Sequence, residues 1–221
     1  MTMSAIKERP ILFSAPMVRA VLEGRKTVTR RAVKGFQIPT EDTAIPIGDR
    51  QRWSAIGQRD PRYGFCVFGS TEAECAKELE QYAPCPHGRR GDRLWVRETH
   101  SLVPDPEEPA GYSQVLYAAD GQQYGKNRPS IHMFRADSRI LLEITDVRVE
   151  RLQDITEDQA KAEGVRLYTD HAELGDWWHV EEIETYSADP RKSFELLWSS
   201  VGGDWEANPW VWVVEFKRVT P

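Results

Sequence analysis

A lysine and a threonine lie three positions apart in a strongly basic stretch of the chain, Gly24-Arg25-Lys26-Thr27-Val28-Thr29-Arg30-Arg31. Neighbouring positive charges and partial burial both lower the pKa of an ammonium group, so a lysine among arginines can lose its proton near neutral pH. Neutral Lys26 could then act as a base toward the Thr29 hydroxyl or toward a bound water. The alternative is a solvated basic turn in which these side chains take no part in chemistry.

The order of residues in this stretch, Gly24-x-Lys26-x-x-Thr29-x-Arg31, resembles the signature Gly-x-Lys-x-x-Glu-x-Arg of the ASCH domain, a family of small PUA-like β-barrels. Thr29 stands where that signature has glutamate. The same replacement marks the bacterial N4-acetylcytidine amidohydrolases, a small ASCH branch. The resemblance implies that the proposed catalytic lysine and threonine of that branch correspond to Lys26 and Thr29.

A second segment resembles the same branch. Residues 155–164 are similar to the helix that carries its catalytic glutamate, which corresponds to Glu163. If the fold brings Glu163 to the basic stretch, an amide carbonyl held by the cations could be attacked by Thr29 or by a water that Lys26 deprotonates. Glu163 would then carry a proton to the leaving amine. Without the resemblance, Glu163 would be an ordinary carboxylate on a helix surface.

The resemblance also implies a fold. It predicts an α+β protein, a PUA-like (ASCH) mixed β-barrel with flanking helices. Because it covers roughly residues 10–34, 91–99 and 139–219, we expect residues 1–221 to form a single ASCH/PUA-like domain with an inserted segment at about 35–90. Taken whole, the chain resembles the larger ASCH-domain proteins of bacteria and prophages, for most of which a nucleic-acid-related role is implied without a named reaction.

A second group of residues could hold an unpaired base. Aromatic rings and guanidinium planes stack on bases, and carboxylates or histidines can bind a base edge. The alternative is that Trp95 lies in the core and the arginines lie on the surface. The residues expected to bind substrate are Arg25, Arg30, Arg31, Trp95, Arg97, Glu98, Ser130, His132 and Arg135.

Composition and charge limit the kind of partner. The chain has 221 residues, of which 40% are hydrophobic, and this is enough for a substantial core. Its net charge of -6 argues against a protein that coats nucleic acid through bulk electrostatics. The basic residues are instead clustered, and a basic pocket in an acidic protein favours a small or short anionic ligand.

The cysteines and the N-terminal segment bear on location and cofactors. No apolar run approaches a membrane span, and residues 1–10 carry no apolar signal region, so we expect a cytoplasmic protein without membrane contact. Three cysteines suit a reducing compartment. Zinc ligation would need Cys66, Cys75, Cys85 and His87, but these offer only a Cys85-x-His87 pair, so we expect inert thiols, no metal and no other cofactor.

The preferred function is therefore binding of a modified nucleoside or short single-stranded RNA in a cationic barrel pocket, with hydrolysis of the amide of N4-acetylcytidine by Lys26, Thr29 and Glu163. One alternative is a non-catalytic RNA-binding module in which Lys26, Arg30 and Arg31 contact phosphates. Another is a metal-dependent ribonuclease, for which the sequence offers no clear carboxylate cluster. Protein partners are not indicated.

The elements that must position these residues can be predicted from spacing. An apolar strand at 10–15 precedes a helix from Pro16 that Gly24 ends, and a strand follows at 27–33. Positions 26 and 29 of a regular strand face opposite ways, so we expect a bend near Lys26, which we also expect to be partly solvated. Further expected elements are a hairpin at 52–56 and 65–68, helices at 71–82, 156–163 and 193–200, strands at 91–99, 114–118, 139–152 (with a bulge near Asp146) and 210–219, and an exposed loop at 101–113.

Overall fold

The computed structural model describes residues 6–57, 65–83, 85–168, 175–183 and 185–219. This part of the chain mixes strands and helices, so the expected α+β class is confirmed. The strands are β1 (Glu8–Leu12), β2 (Val28–Ala32), β3 (Thr40–Glu41), β4 (Trp53–Ile56), β5 (Cys66–Gly69), β6 (Arg93–Arg97), β7 (His100–Pro104), β8 (Tyr112–Tyr117), β9 (Leu141–Arg151), β10 (Arg166–Tyr168), β11 (Trp177–His179) and β12 (Trp210–Val219), and the helices are α1 (Ala15–Leu22), α2 (Glu72–Tyr82), α3 (Glu157–Ala162) and α4 (Pro190–Ser200).

Five strands form the main sheet in the order β1-β6-β9-β12-β2, with β1 parallel to β6 and the other neighbours antiparallel. Among the described residues no sheet closes into a barrel, so the closed barrel expected from the resemblance is not observed. The two edge strands still approach each other, because the Arg31 guanidinium of β2 donates a hydrogen bond to the carbonyl of Leu12 in β1 at 2.9 Å. A side chain, and not a backbone ladder, joins the two edges of the sheet.

The long strands β9 and β12 form the centre of this sheet. Their register shifts between Glu215, which faces Asp146, and Phe216, which faces Ile144. Thr145 is therefore the extra residue of a β-bulge, and the phase slip predicted near Asp146 is confirmed. Bulges of this kind bend a strand and increase its twist, which helps the sheet to curve.

A tight turn connects α1 to β2. Pro16 lies in the first turn of α1, where its missing N–H costs no hydrogen bond, and Gly24 after the helix has a φ of 76°. The amides of Arg25 and Lys26 both donate to the carbonyl of Ala20, at 2.9 and 3.0 Å. Because β2 begins only at Val28, Lys26 lies outside the strand, and the bend expected near Lys26 is confirmed.

The short helix α3 ends beside this turn. Its N-terminus has a complete capping box, in which Thr156 accepts from the Gln159 amide and the Gln159 side chain accepts from the Thr156 amide. Glu163 is its C-cap residue, and Gly164 follows with a φ of 105°. A Cβ on Gly164 would lie 3.0 Å from the Cβ of Ala20, so α3 and α1 approach closely where a glycine is required.

Residues 35–90 contribute a sheet of their own. The sheet has the order β3-β4-β5, and the antiparallel pairing of β4 with β5 confirms the expected hairpin. Helix α2 connects it to the main sheet, since Glu80 accepts a hydrogen bond from the Val149 amide at 3.0 Å. Beyond this segment, the expected loop at 101–113 was wrong at its start, because β7 pairs with β8.

Two apolar clusters pack on opposite faces of β12. Trp212 and Val214 belong to the larger cluster with the residues of β6 and β9, whereas Val211 and Val213 belong to a second cluster with α3 and α4. A strand covered on both faces reads as a continuous apolar run, as 210–214 does. None of the described helices has the length and apolar character needed to cross a membrane.

Candidate functional site

A small pocket of about 90 Å³ lies at the outer edge of β2. We call it the Thr29 pocket. Strand β2 supplies a hydroxyl and two guanidinium groups to it, the residue after α3 supplies a carboxylate, and α4 supplies aromatic and apolar side chains. The lining residues are Leu12, Ser14, Met17, Thr29, Arg30, Arg31, Glu163, Phe194, Leu197, Trp198 and Val201.

Lys26 lies behind Glu163 and does not line this pocket. Its Nζ donates to the carboxylate Oε2 of Glu163 at 2.6 Å, to the backbone carbonyl of Glu163 at 2.9 Å and to the carbonyl of Val28 at 2.8 Å. The Lys26 side chain is fully buried, so the expectation of a partly solvated residue was wrong. The reason is the return of α3, whose end covers the turn that holds Lys26.

Arg30 contacts the second oxygen of the same carboxylate. Its Nη1 lies 3.3 Å from Glu163 Oε1, and its Nη2 donates to the side-chain oxygen of Gln159 at 2.9 Å. The guanidinium carbon is 5.9 Å from the centre of the Phe194 ring. Glu163 is thus held between a lysine and an arginine, both of them buried.

Burial controls the protonation of this group. It lowers the pKa of Lys26, because a buried ammonium loses its hydration, while the adjacent Glu163 carboxylate opposes the shift. The positive charges of Arg31 and Arg30 lower the pKa of Lys26 further. At 2.6 Å the Lys26 ammonium and the Glu163 carboxylate are close enough for a proton to pass between them.

Thr29 is buried in β2 opposite Val214 and reaches the pocket through its side chain. Among the described residues its hydroxyl forms no hydrogen bond, so it is available to a ligand. No hydrogen bond joins it to Lys26, whose three donors have the acceptors given above. The structure therefore gathers Lys26, Thr29 and Glu163 in one place, with Glu163 between the pocket and Lys26.

The other two expected basic residues of this stretch differ in position. Arg31 lines the Thr29 pocket, and its guanidinium lies 5.7 Å from the centre of the Phe13 ring. Arg25 points elsewhere, pairing with Glu23 at 2.7 Å and donating to the carbonyl of Gly164 at 2.9 Å. Arg25 fastens the end of α3 and does not line the Thr29 pocket.

The expected base-binding residues in β6 and directly after it do not line the Thr29 pocket. Trp95 is buried, which agrees with the alternative that it belongs to the core, and the guanidinium of Arg97 lies 4.7 Å from its ring. Glu98 is 1% exposed and accepts two hydrogen bonds from Arg139, at 2.9 and 3.0 Å.

The remaining three expected residues lie in the segment after β8. Arg135 pairs with Glu8 at 2.7 Å, and Ser130 begins a short 3-10 turn. His132 lines a separate pocket of about 710 Å³, which we call the Phe134 pocket. Its lining residues are Arg97, Lys126, Asn127, Arg128, Pro129, Ile131, His132, Met133 and Phe134.

Several residues that line the Thr29 pocket or orient its side chains were not predicted from the sequence. Phe194, Leu197 and Trp198 have the spacing of one helix face, which indicated packing and gave no sign of a pocket. Gln159 was recognised for its capping-box position alone, although its oxygen also orients Arg30. An adjoining cleft of about 470 Å³ shares Arg30, Arg31 and Trp198 and adds Lys34 and Gln37.

Within the described ranges there is no group of three or more histidine, cysteine, aspartate or glutamate side chains placed to hold a metal ion. Cys66 is exposed and Cys75 is buried. Burial raises the pKa of the Cys75 thiol to about 11, so this side chain is a thiol at neutral pH.

The Thr29 pocket has the parts needed for acyl transfer. It offers a hydroxyl that could act as nucleophile, guanidinium groups that can bind a carbonyl oxygen, and a carboxylate that is hydrogen-bonded to a buried lysine. Comparisons of the chain with protein-family models, with curated proteins and with solved structures found no match.

Proposed function

We propose that this chain is an ASCH-type, PUA-like protein whose Thr29 pocket binds the base of a modified nucleoside or of short single-stranded RNA and hydrolyses the amide of N4-acetylcytidine. The observation that carries the proposal is the placement of Glu163. Its carboxylate lines the same pocket as Thr29 while its Oε2 atom lies 2.6 Å from Lys26 Nζ. A cytoplasmic site of action, expected from the composition, is part of this proposal.

Recognition of the base would use the walls of the pocket. The rings of Phe194 and Trp198 can stack on a planar base, as aromatic side chains do on unpaired bases. The Arg31 guanidinium can donate hydrogen bonds to the acetyl carbonyl and stabilise the negative charge that develops on its oxygen. The pocket is too small for a base pair, so a base bound in it would have to be unpaired.

The reaction can then be written with all atoms accounted for. Thr29 Oγ1 adds to the acetyl carbon while its proton passes to Glu163, and the C–N4 bond breaks as Glu163 returns a proton to N4. Water hydrolyses the acetyl ester on Thr29 and releases acetate. Direct attack by water in place of Thr29 is the second route, and Glu163 has the same part in it. Lys26 is a positioning residue in both, because it acts through Glu163.

One observation favours a non-catalytic RNA-binding module. All three N–H groups of a protonated Lys26 have acceptors, and both oxygens of Glu163 are paired. A network satisfied in this way is also what a structural ion pair requires. In that case no bond would break. Of the three residues expected to contact phosphates, Lys26 and Arg30 are buried, so Arg31 and the exposed Lys34 would make these contacts. No comparable observation favours a metal-dependent ribonuclease.

The test is incubation of the pure protein with N4-acetylcytidine, with cytidine and acetate measured by chromatography. The amidohydrolase proposal expects both products in equal amounts. The route through Thr29 also expects their release to slow by about a hundredfold or more in Thr29→Val and to continue in Thr27→Val, a change at the neighbouring exposed threonine. Absence of turnover by the wild type, together with tight binding of short RNA, would establish the binding module in its place.

A further inference from the structure

The Phe134 pocket is separate from the Thr29 pocket but adjacent to it. Leu12 lines the Thr29 pocket, and its register partner on the neighbouring strand is Arg97, which lines the Phe134 pocket. The backbone amide of Phe13 also donates to the carbonyl of Arg97 at 3.2 Å. The two pockets therefore lie on either side of the end of β1, about one strand spacing apart at this point.

The Phe134 pocket is basic in an acidic protein. Arg97, Lys126 and Arg128 line it together with His132, and no carboxylate is among its lining residues. Lys126 and Arg128 are exposed, and in the described part of the chain neither side chain forms an ion pair. An anionic ligand would thus meet Lys126 and Arg128 as cations that pair with none of the described carboxylates, although the protein as a whole has a net charge of -6.

The same pocket exposes an aromatic ring. Phe134 is 69% exposed and Ile131 is 57% exposed, while Met133 between them is buried and anchors the segment in the core. A second anchor is the pair of backbone hydrogen bonds between Arg128 and His100. The segment therefore exposes the Phe134 ring to solvent on a fixed backbone. Exposing an apolar ring is unfavourable, but the fixed backbone reduces the conformational entropy that is lost when a ligand binds.

Aromatic side chains interleaved with cations are what a single-stranded nucleic acid requires, because bases stack on the rings and phosphates pair with the cations. The pocket also contains buried polar atoms without partners among the described residues, namely Asn127 Oδ1 and Arg97 Nε. An amide oxygen can accept from the amino group of a base, and the guanidinium can donate to a phosphate.

We propose that the Phe134 pocket is a second nucleotide-binding subsite, and that it holds a nucleotide next to the one whose base enters the Thr29 pocket. The ligand is then a single strand of RNA and not a free nucleoside. For the occupant of the first pocket this inference rests on the proposed function. The second subsite itself is supported by its own charge, exposed ring and position.

The experiment compares affinities for a short single-stranded RNA that contains cytidine and for free cytidine, by fluorescence anisotropy and calorimetry. Free cytidine has one base and occupies one pocket, so it is the reference. We expect Phe134→Ala to weaken RNA binding by about tenfold, which corresponds to the loss of one stacked base, and to change cytidine affinity far less. Ile47→Ala, at a residue 90% exposed outside both pockets, is the matched apolar control.

Salt dependence tests the cations of the pocket. Lys126→Ala and Arg128→Ala should each reduce the slope of log affinity against log salt by about 0.7, as expected for one phosphate contact of a single strand. Lys217→Ala is the matched control, because Lys217 is an exposed cation that already pairs with Glu143. Equal slopes in the three variants would overturn the second subsite.

The outcomes separate this inference from the proposed function. Turnover of N4-acetylcytidine with no RNA binding, or RNA binding that Phe134→Ala and Ile47→Ala affect equally, would overturn the second subsite and leave the hydrolase proposal standing. RNA binding that depends on Phe134 without any turnover would support the subsite and reject the hydrolase. Equal displacement of the RNA by an acidic peptide of the same charge would also overturn the subsite, since it would show that charge alone determines binding.

Discussion

Glu163 and Glu98 are both buried carboxylates beside arginines, but their surroundings differ. Glu98 is 1% exposed, accepts two hydrogen bonds from Arg139 and does not line the Thr29 pocket. Arg139 in turn pairs with Asp120 at 2.6 Å and lies 3.9 Å from the ring of Tyr117. Glu163 is 3% exposed, lines the pocket and has a lysine as its closest partner.

Burial alone does not show whether a carboxylate can take part in proton transfer, because this also depends on its partner. An arginine keeps its proton at any usable pH, so Arg139 cannot pass a proton to Glu98. A lysine can give up its proton, and burial lowers the pKa of Lys26, so the Glu163–Lys26 pair can move a proton. Under the proposed function, Glu163 exchanges protons with the substrate, whereas Glu98 stabilises the fold.

The largest expected difference between the two carboxylates is in turnover. Under the proposed function, Glu163→Gln should lower the turnover of N4-acetylcytidine by about a thousandfold, because the amide cannot carry the proton to the leaving amine. Glu98→Gln should retain turnover within about tenfold, the change expected from indirect effects. Cytidine binding, measured by calorimetry, shows whether each variant is still folded. Equal losses in both variants would end the distinction between the two sites.

The second-largest expected difference is in stability, where breaking the Glu98 pair should cost more than breaking the Glu163 pair. Arg139→Met leaves the buried carboxylate of Glu98 without its bidentate partner and should lower the free energy of unfolding by about 3 kcal/mol or more. Lys26→Met should cost less, about 2 kcal/mol, because Glu163 keeps Arg30 and can also take up a proton. Urea unfolding of both variants measures the two values. A greater loss for Lys26→Met would mean that its pair is the stronger structural one.

Substitutions of Thr29 test whether the hydroxyl beside Glu163 takes part in the reaction. Thr29→Val keeps the branched shape and should lower turnover by about a hundredfold or more. Thr29→Ser keeps the hydroxyl and should retain most of the wild-type turnover rate. Steady-state kinetics on N4-acetylcytidine, with Thr27→Val as the control, measures both. Wild-type rates in Thr29→Val would mean that water attacks directly or that Thr29 has no part in the reaction.

The pH dependence of stability gives the smallest difference. Because the pKa of Lys26 is lower in the folded protein than its usual 10.5, the unfolded chain binds more protons in the window between the two values. The free energy of unfolding should therefore rise with pH in that window, by at most about 1.4 kcal/mol per pH unit. Lys26→Met should lack this rise, whereas Arg139→Met should keep it. Urea unfolding at a series of pH values below 10.5 tests it, and parallel curves for wild type and Lys26→Met would contradict the lowered pKa.

Local signals in the sequence predicted much of the fold. The capping box of Thr156 and Gln159 places the start of α3, and the phase slip near Asp146 locates the bulge of β9. Both depend on interactions between residues close in sequence or on the alternation along one strand. The strand at 100–104 was missed, because proline and acidic residues nearby suggested a loop while the pairing partner lies in β8.

Features of the site that depend on distant residues were not predicted from local sequence. The pairing of Lys26 with Glu163 spans 137 positions, and only the family resemblance suggested that the two residues meet. The burial of Lys26 follows from the approach of Gly164 to Ala20, which no periodicity reveals. The parallel pairing of β1 with β6 is likewise non-local, and it separates the Thr29 pocket from the Phe134 pocket.

Lys26 has a second task that limits how this protein could be altered. Its Nζ also donates a hydrogen bond to the backbone carbonyl of Glu163, the C-cap residue of a helix of six residues. Few other side chains could replace this donor. A helix of that length is marginal alone and depends on such contacts. Substitution of Lys26 would therefore destabilise α3, the helix that positions Glu163. A loss of activity in such a variant would not show whether Lys26 takes part in the reaction. An inactive but intact version of the protein, for trapping a ligand, is better made at Thr29.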